Sequence, residues 1–258
     1  MEGKPKVKVA YFDFACCEGC QIEMTNFGGP AFLELLNHVE IVEFREAMTE
    51  TTDETIDIAF IEGSFTREAD RKRLESIRER ANIVIAYGAC ACTGGINALK
   101  NHQNDYKEAV YGKDADMPHL DSQLALPVSA AIKVDYEVNG CPMNKDEFAR
   151  IVSHLLHGKT PVIPKYPVCV ECKLSENVCL YELGGHCLGM VAKAGCGAPC
   201  PAQGIPCEAC RGFASNPNEK TLEKVLKDRA GFSEERAKTK SRMFTANCRY
   251  DAPLKDKE

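Results

Sequence analysis

Residues 167–212 read PVCVECKLSENVCLYELGGHCLGMVAKAGCGAPCPAQGIPCEACRG. Eight of the 15 cysteines of the chain fall here: Cys169, Cys172, Cys179, Cys187, Cys196, Cys200, Cys207 and Cys210. A C-x2-C pair opens the run and another closes it, with glycine and proline between them. Eight cysteines make two sets of four. Four thiolates suit one zinc ion or one [4Fe-4S] cluster, both of which take soft sulfur ligands. Zinc sites usually carry C-x2-C knuckles in both halves and often use histidine. Here the inner cysteines are singly spaced, and Cys200 is followed by Pro201, the closing feature of bacterial ferredoxin runs. The spacing therefore favours two Fe-S clusters over two zinc sites, and either over disulfides. Short glycine- and proline-rich connections allow this segment to fold back around a compact inorganic core in place of a hydrophobic one.

Composition narrows the setting. A chain of 258 residues with 44% hydrophobic residues can bury a true core in one or two domains. A net charge of -6 argues against nucleic acid as a partner. The amino-terminal residues MEGKPKVKVAYFDFACC lack the apolar run of a signal peptide, and no stretch approaches the length of a membrane span. Many cysteines without a secretion signal point to metal or redox chemistry in a reducing, cytoplasmic compartment.

Upstream, the chain alternates strands and helices. Lys6 to Phe14, Glu40 to Phe44, Ile56 to Ile61 and Ala81 to Tyr87 read as strands. The last two are nearly continuous apolar runs, as expected of strands buried on both faces. Pro30 can open a helix through Ala31 to Leu36, and residues 67–80 carry a surface helix. Residues 97–127 read as irregular. A fifth strand is expected over Ala131 to Val138, followed by a helix to about Leu156 with Asn144 and Glu147 as a capping box. This is the pattern of an open parallel sheet with helices on both faces, in a first domain over residues 1–158. Residues 159–258 form a second, mostly irregular cluster domain, braced by two helices. Asn216 caps the first of these, with Pro217 at its first position and Gly231 as its stop. Ser233 caps the second, which runs to about Ala246.

Four of the five strands of the first domain end in cysteine or acidic residues: Cys16, Cys17 and Cys20 after the first, Glu62 after the third, Cys90 and Cys92 after the fourth, and Cys141 after the fifth. In an open α/β sheet such carboxyl-terminal edges converge on one crevice. That crevice has the ligands for a third cluster, drawn from Cys17, Cys20, Cys90 and Cys141, with Cys16 and Cys92 competing. Spacing does not choose between Cys16 and Cys17 as the partner of Cys20. Cys248 stands alone and reads as a buried apolar thiol. His186, beside Cys187, reads as a hydrogen-bond donor to sulfur or to a partner rather than as a ligand.

The motifs CCEGC at 16–20, IEGSF at 61–65, GACACTGG at 88–95 and NGCPMN at 139–144 occur in this order, followed by CVEC, CLYELG and CGAPCPAQGIPCEAC. Together they resemble the small, electron-transferring subunit of [NiFe] hydrogenases. Within that group the likeness is to the cytoplasmic kind, such as sulfhydrogenase delta subunits and F420-non-reducing hydrogenase subunits. The first four motifs alone are shared with the homologous subunit of respiratory complex I, but the long cysteine-rich second half speaks against that relative.

The resemblance implies a flavodoxin-like domain holding a proximal [4Fe-4S] cluster on Cys17, Cys20, Cys90 and Cys141, with Glu62 beside it in support of proton or electron transfer. It implies a distal [4Fe-4S] cluster on Cys169, Cys172, Cys179 and Cys187, and a medial one on Cys196, Cys200, Cys207 and Cys210. Periplasmic relatives open the distal set with histidine and lack a medial cysteine; this chain has Cys169 and Cys200 there, so all three clusters are expected to be cubanes. Cys16 stands where many relatives have glutamate. No catalytic residue is expected in this chain, because the Ni-Fe site lies on a large subunit. Electrons would pass to a flavin- or Fe-S-containing partner, with NAD(P) or polysulfide among the candidate acceptors. Two alternatives remain: a relay subunit of a related complex without hydrogenase activity, and a zinc-bound interaction protein.

Overall fold

The computed structural model describes residues 6–26, 36–103, 105–113 and 117–248. Five strands form one sheet: β1 (Val7–Asp13), β2 (Val39–Phe44), β3 (Ile56–Glu62), β4 (Ala81–Tyr87) and β5 (Tyr136–Val138). Their order is β2-β1-β3-β4-β5 and every pairing is parallel. This is the flavodoxin-like order, which reverses direction between β1 and β3. The helices are α1 (Gly19–Thr25), α2 (Glu68–Arg80), α3 (Gly88–Thr93), α4 (Tyr106–Tyr111), α5 (Lys145–Leu156), α6 (Val168–Leu174), α7 (Pro199–Ala202), α8 (Glu219–Ala230) and α9 (Glu234–Arg242).

Alternation along the strands builds two cores. Ala10, Phe12, Ala59, Ile61, Val84 and Ala86 face Leu74 and Ile77 of α2, together with Val128 and Ile132. Val9, Tyr11, Ile58, Phe60, Ile85 and Tyr87 face Met24 of α1 and Phe148, Ile151 and Val152 of α5. Phe60 is the hub of the second face. Its ring stacks on Tyr11 at 4.8 Å, meets Tyr87 edge-on at 6.2 Å, and lies 5.1 Å from Phe148. Such aromatic pairs add to simple area burial.

Several expectations need correction. The fifth strand covers only Tyr136–Val138. Asp135 is the reason: its carboxylate accepts the Val84 N–H at 2.9 Å and binds Arg78 at 2.6 Å, taking an amide that a longer strand would have paired. The apolar residues before it, Ile132 and Val134 among them, pack on the first core instead. Residues 97–127 are more ordered than expected. A 3-10 helix spans Gly95–His102, α4 follows, and Leu126 exchanges backbone bonds with Phe65 at 3.0 Å. The helix expected from Pro30 falls largely on residues 27–35, outside the described residues. Asn144 does cap α5, accepting the Glu147 N–H at 2.9 Å, but the Glu147 carboxylate binds Arg211, so the box is half made. The cap of α8 is Asn218, not Asn216; it accepts the Thr221 N–H at 3.0 Å. Gly231 ends that helix in the left-handed region at φ 67, and Ser233 caps α9. The last helix stops at Arg242, short of Ala246.

The cysteine-rich segment also has a hydrophobic cluster of its own. Val168, Leu188 and Val191 pack against Leu222, Leu226, Phe232 and Ala237 of the carboxy-terminal helices and their connection. Beyond α9 the chain returns to the sheet: Asn247 donates to the Ala125 carbonyl at 2.7 Å and Thr93 to the Phe244 carbonyl at 3.2 Å. No helix among the described residues is long and apolar enough to cross a membrane. Phe60→Ala is expected to cost about 3–5 kcal/mol of stability, read as a lowered anaerobic denaturation midpoint.

Candidate metal centres

β1, β3 and β4 finish level, with Asp13 opposite Glu62 and Glu62 opposite Tyr87. Each strand must then give way to a sharp turn. Gly63 makes one at φ 95, where a Cβ would lie 2.6 Å from the Phe14 carbonyl carbon, and Ala15 and Ser64 close the turn with two backbone bonds of 3.1 and 3.0 Å. Glu62, the last residue of β3, turns its carboxylate to the start of α1. Its two oxygens accept the N–H groups of Cys20 at 3.2 Å and Gln21 at 3.1 Å. It thus satisfies amides that a helix amino terminus leaves unpaired. Only 2% of Glu62 is exposed, and burial raises its carboxyl above the usual carboxylate range.

Two further strand ends bring cysteines to this edge. The Cys20 thiol accepts the Met143 N–H at 3.4 Å, and the Ala89 N–H meets the Gly140 carbonyl at 2.6 Å, joining α3 to the loop of Cys141. A Cβ on Gly88 would lie 2.6 Å from Cys20 Sγ, and one on Gly95 2.9 Å from Cys90 Sγ, so both positions require glycine. Asn97 donates to the Ala15 carbonyl at 2.8 Å, and its Nδ2 lies 4.0 Å from Cys90 Sγ. The thiols affect one another. Burial, then Cys141 and Cys17, pushes Cys90 up to about 12; burial, then Glu62, pushes Cys16 up to about 12. Cys141 is raised by burial and then by Cys17. Cys16, Cys17, Cys20, Cys90 and Cys141 therefore share the crevice.

The other eight cysteines surround two cavities. One, of about 190 Å³, is lined by Cys169, Cys172, Cys179 and Cys187. The other, of about 220 Å³, is lined by Cys196, Cys200, Cys207 and Cys210, with Cys141 at its edge. Pro201 lines both. Glu171 of α6 ties the two halves together, accepting the N–H groups of Gly195 at 2.8 Å and Gly197 at 3.0 Å. The backbone also turns amides onto sulfur. Cys187 Sγ accepts from Gly189 at 3.5 Å and from Cys207 at 3.3 Å. Ala198 and Ala209 adopt left-handed φ values of 54 and 56, and their N–H groups serve Cys196 and Cys207, two residues before each. The same turn recurs at Cys16, served by Glu18 at φ 60. Left-handed residues other than glycine are costly.

The remaining candidates lie apart. Cys92 is buried in the first core, with its Sγ 3.4 Å from the Ala86 carbonyl. With Cys248 it lines an open hollow of about 920 Å³ that also contains Lys193 and Glu137. His186 lines neither thiol cavity; its Nε2 is 3.8 Å from Glu208 and its ring 5.1 Å from Phe232. Burial lowers its pKa. Sequence reading had no signal for Gln21, Asn97 or Arg211, because each acts on a partner remote in the chain or on the backbone.

The donor set fits Fe-S clusters. Burial raises Cys187, Cys196 and Cys207, and lifts Cys169 and Cys210 to about 11, so gathering these groups as thiolates requires a cationic centre among them. No three His, Cys, Asp or Glu side chains among the described residues converge on a single-ion site. Each of the two sets of four in the second half surrounds a cavity with room for more than a single ion.

Comparison with known proteins agrees with this architecture. A family model described as NADH ubiquinone oxidoreductase, 20 Kd subunit, matches residues 17–155. The chain is similar to sulfhydrogenase 2 subunit delta of Pyrococcus furiosus, 33% identical over 86% of this chain and 93% of the relative. It is also similar to a vhu-type F420-non-reducing hydrogenase subunit of Methanocaldococcus jannaschii, 34% identical over 80% of this chain and 82% of the relative. Among solved structures, a chain of an NAD+-reducing [NiFe]-hydrogenase in the H2-reduced state superposes with a TM-score of 0.55 at 26% identity, over 62% of this chain and 96% of the other.

Glu62→Ala would leave the buried amides of Cys20 and Gln21 unpaired, at about 1–3 kcal/mol each. Glu62→Gln retains one acceptor and should cost about half as much. Thermal unfolding of the two variants under anaerobic conditions checks the order.

Proposed function

The chain belongs to the NADH ubiquinone oxidoreductase 20 Kd subunit family as a hydrogenase small-subunit-like member, and from that premise we propose that it is the electron-transferring small subunit of a [NiFe] hydrogenase. Cys17, Cys20, Cys90 and Cys141 hold the proximal [4Fe-4S] cluster in this reading. Cys196, Cys200, Cys207 and Cys210 hold the medial one, and Cys169, Cys172, Cys179 and Cys187 the distal one. When bound, the clusters supply one-electron relay at potentials set by charge, hydrogen bonds to sulfur and exposure. One observation carries the reading: two consecutive sets of four cysteines each line a cavity of their own.

The residues of the chain hold and tune these sites. The N–H groups of Gly189, Cys207 and Met143 donate to ligand sulfur, which stabilises added negative charge there. Glu62 fixes the amino end of α1, and with it Cys20. The partners follow from the surfaces. Exposed Ile22 and Ile96 follow Cys20 and Gly95 at the crevice, where a large subunit carrying the Ni-Fe site would cover them. Exposed Leu174, Val178 and Leu183 surround the distal set, where a flavin- or Fe-S-containing subunit would dock. Residues 1–158 then act as the proximal domain and 159–258 as the medial and distal domain of a cytoplasmic complex. The similarity to hydrogenase subunits spans 80% or more of the chain, beyond the 17–155 segment matched by the broader family, and favours hydrogenase over other relay complexes.

Anaerobic iron and sulfide assays should give about twelve iron atoms per chain, four for each of three clusters. A value near four after reconstitution would refute the relay. Cys200→Ser should convert the medial centre alone, seen as a new [3Fe-4S] signal in the oxidised spectrum. An unchanged spectrum would remove Cys200 from the ligand set.

A further inference from the structure

Arg211 is the largest fully buried side chain among the described residues. It follows Cys210 directly, and its guanidinium crosses to the sheet. Nε donates to the carbonyls of Lys193 at 3.1 Å and Ala194 at 3.0 Å. One terminal nitrogen donates to the Asn139 carbonyl and sits 2.7 Å from the Glu147 carboxylate, while the other donates to Glu147 at 2.9 Å. Both side chains of this ion pair are 2% exposed. The Asn139 side chain in turn accepts from Lys193 at 2.7 Å. Gly195, at φ 122, leaves the space for the pair; a Cβ there would fall on both the guanidinium and the carboxylate.

These contacts join three ligand-bearing loops. Asn139 lies two residues before Cys141, Ala194 two before Cys196, and Arg211 one after Cys210. A buried ion pair is a poor device for stability alone, because apolar residues of similar volume often do as well. Its distinctive property is direction: the planar fork fixes its acceptors in a set geometry that neither a lysine nor an apolar side chain reproduces. Here that direction gathers the loops of Cys141, Cys196 and Cys210 at one cavity, whose wall holds all three cysteines together with Arg211.

We propose that Arg211, oriented by Glu147, is a positioning residue for electron transfer, holding the Cys141 loop against the Cys196 and Cys210 loops and so fixing the separation of the proximal and medial centres. The inference rests on the cluster assignment of the preceding section. Transfer of one electron between the two centres, were they bound, would make or break no bond, and the Arg211 guanidinium would keep its proton throughout. Arg211 lines the same cavity as Cys196 and Cys210, so its fixed positive charge favours added negative charge there.

The test uses the purified complex with its large subunit and three variants: Arg211→Met, Arg211→Lys, and Arg211→Met combined with Glu147→Leu. The double variant replaces the ion pair with an apolar pair and should keep full iron content; its thermal stability should fall, because the carbonyls of Lys193, Ala194 and Asn139 lose their donor, but by less than in Arg211→Met alone. In the double variant, the magnetic interaction between the proximal and medial centres in the reduced electron paramagnetic resonance spectrum should be lost, and the medial midpoint potential should shift to more negative values. The distal signal should be unmoved. Arg211→Lys, which keeps the charge without the fork, should weaken the interaction while holding the potential nearer the parent. Arg211→Met alone, which leaves Glu147 buried and unpaired, should be the least stable. Unmoved interaction and potential in an iron-replete double variant would overturn the inference. Loss of medial iron from both the double variant and Arg211→Lys would make Arg211 a folding element and overturn it equally. A parent complex lacking separate proximal and medial signals would instead sink the cluster assignment, and this inference with it.

Discussion

The sheet imposes one constraint on which the crevice depends: β1, β3 and β4 run parallel and in register, so Asp13, Glu62 and Tyr87 form one row at their ends. Strands buried on both faces satisfy their backbone groups within the ladder. At the last row the ladder stops, and the connecting loops must supply the missing partners. The Phe14 N–H takes the Glu62 carbonyl at 2.9 Å, Ala15 pairs with Ser64, and the Glu62 carboxylate caps α1. The loops that place Cys16, Cys17, Cys20 and Cys90 are thus the same loops that finish the sheet, and a site at this edge is a product of the fold itself.

The cysteine-rich segment meets a different constraint. It has little regular structure to pair its amides, and many of those amides turn to sulfur or carboxylate instead. Glu171 takes two, Cys187 takes two, and the left-handed Ala198 and Ala209 each present one to a cysteine. The strained backbone and the charged centre it would enclose are complementary: donors that would be costly to bury unpaired become the ones that stabilise negative charge on sulfur. The small hydrophobic cluster around Leu188 and Leu222 fixes the segment from outside.

What was legible in the sequence follows the range of each interaction. The apolar runs of β3 and β4 identify buried strands because their signal is continuous, and the caps at Asn144 and Ser233 act over three residues. The eight cysteines of the second half line two cavities, four to each, in chain order. Helices α1 and α3 escaped notice, being too short for a 3.6-residue period and starting at glycine. β5 looked longer than it is, since apolar content cannot reveal that the Asp135 side chain takes the place of a strand partner. Glu147 was read by its local spacing as part of a capping box, while its carboxylate serves an arginine 64 residues away. Cys16 and Cys17 remain equivalent by spacing, and both reach the crevice.

The return of the chain end to the sheet has a consequence for biosynthesis. The bond from Asn247 to the Ala125 carbonyl spans 122 residues, and that from Thr93 to the Phe244 carbonyl spans 151. Neither can form until Phe244 and Asn247 have left the ribosome, although amino-terminal units begin to fold during synthesis. The cysteines of the crevice and of the two cavities all emerge before that clasp closes. Nascent chains therefore pass through an interval in which the sheet has its strands but the contacts of Phe244 and Asn247 are not yet made.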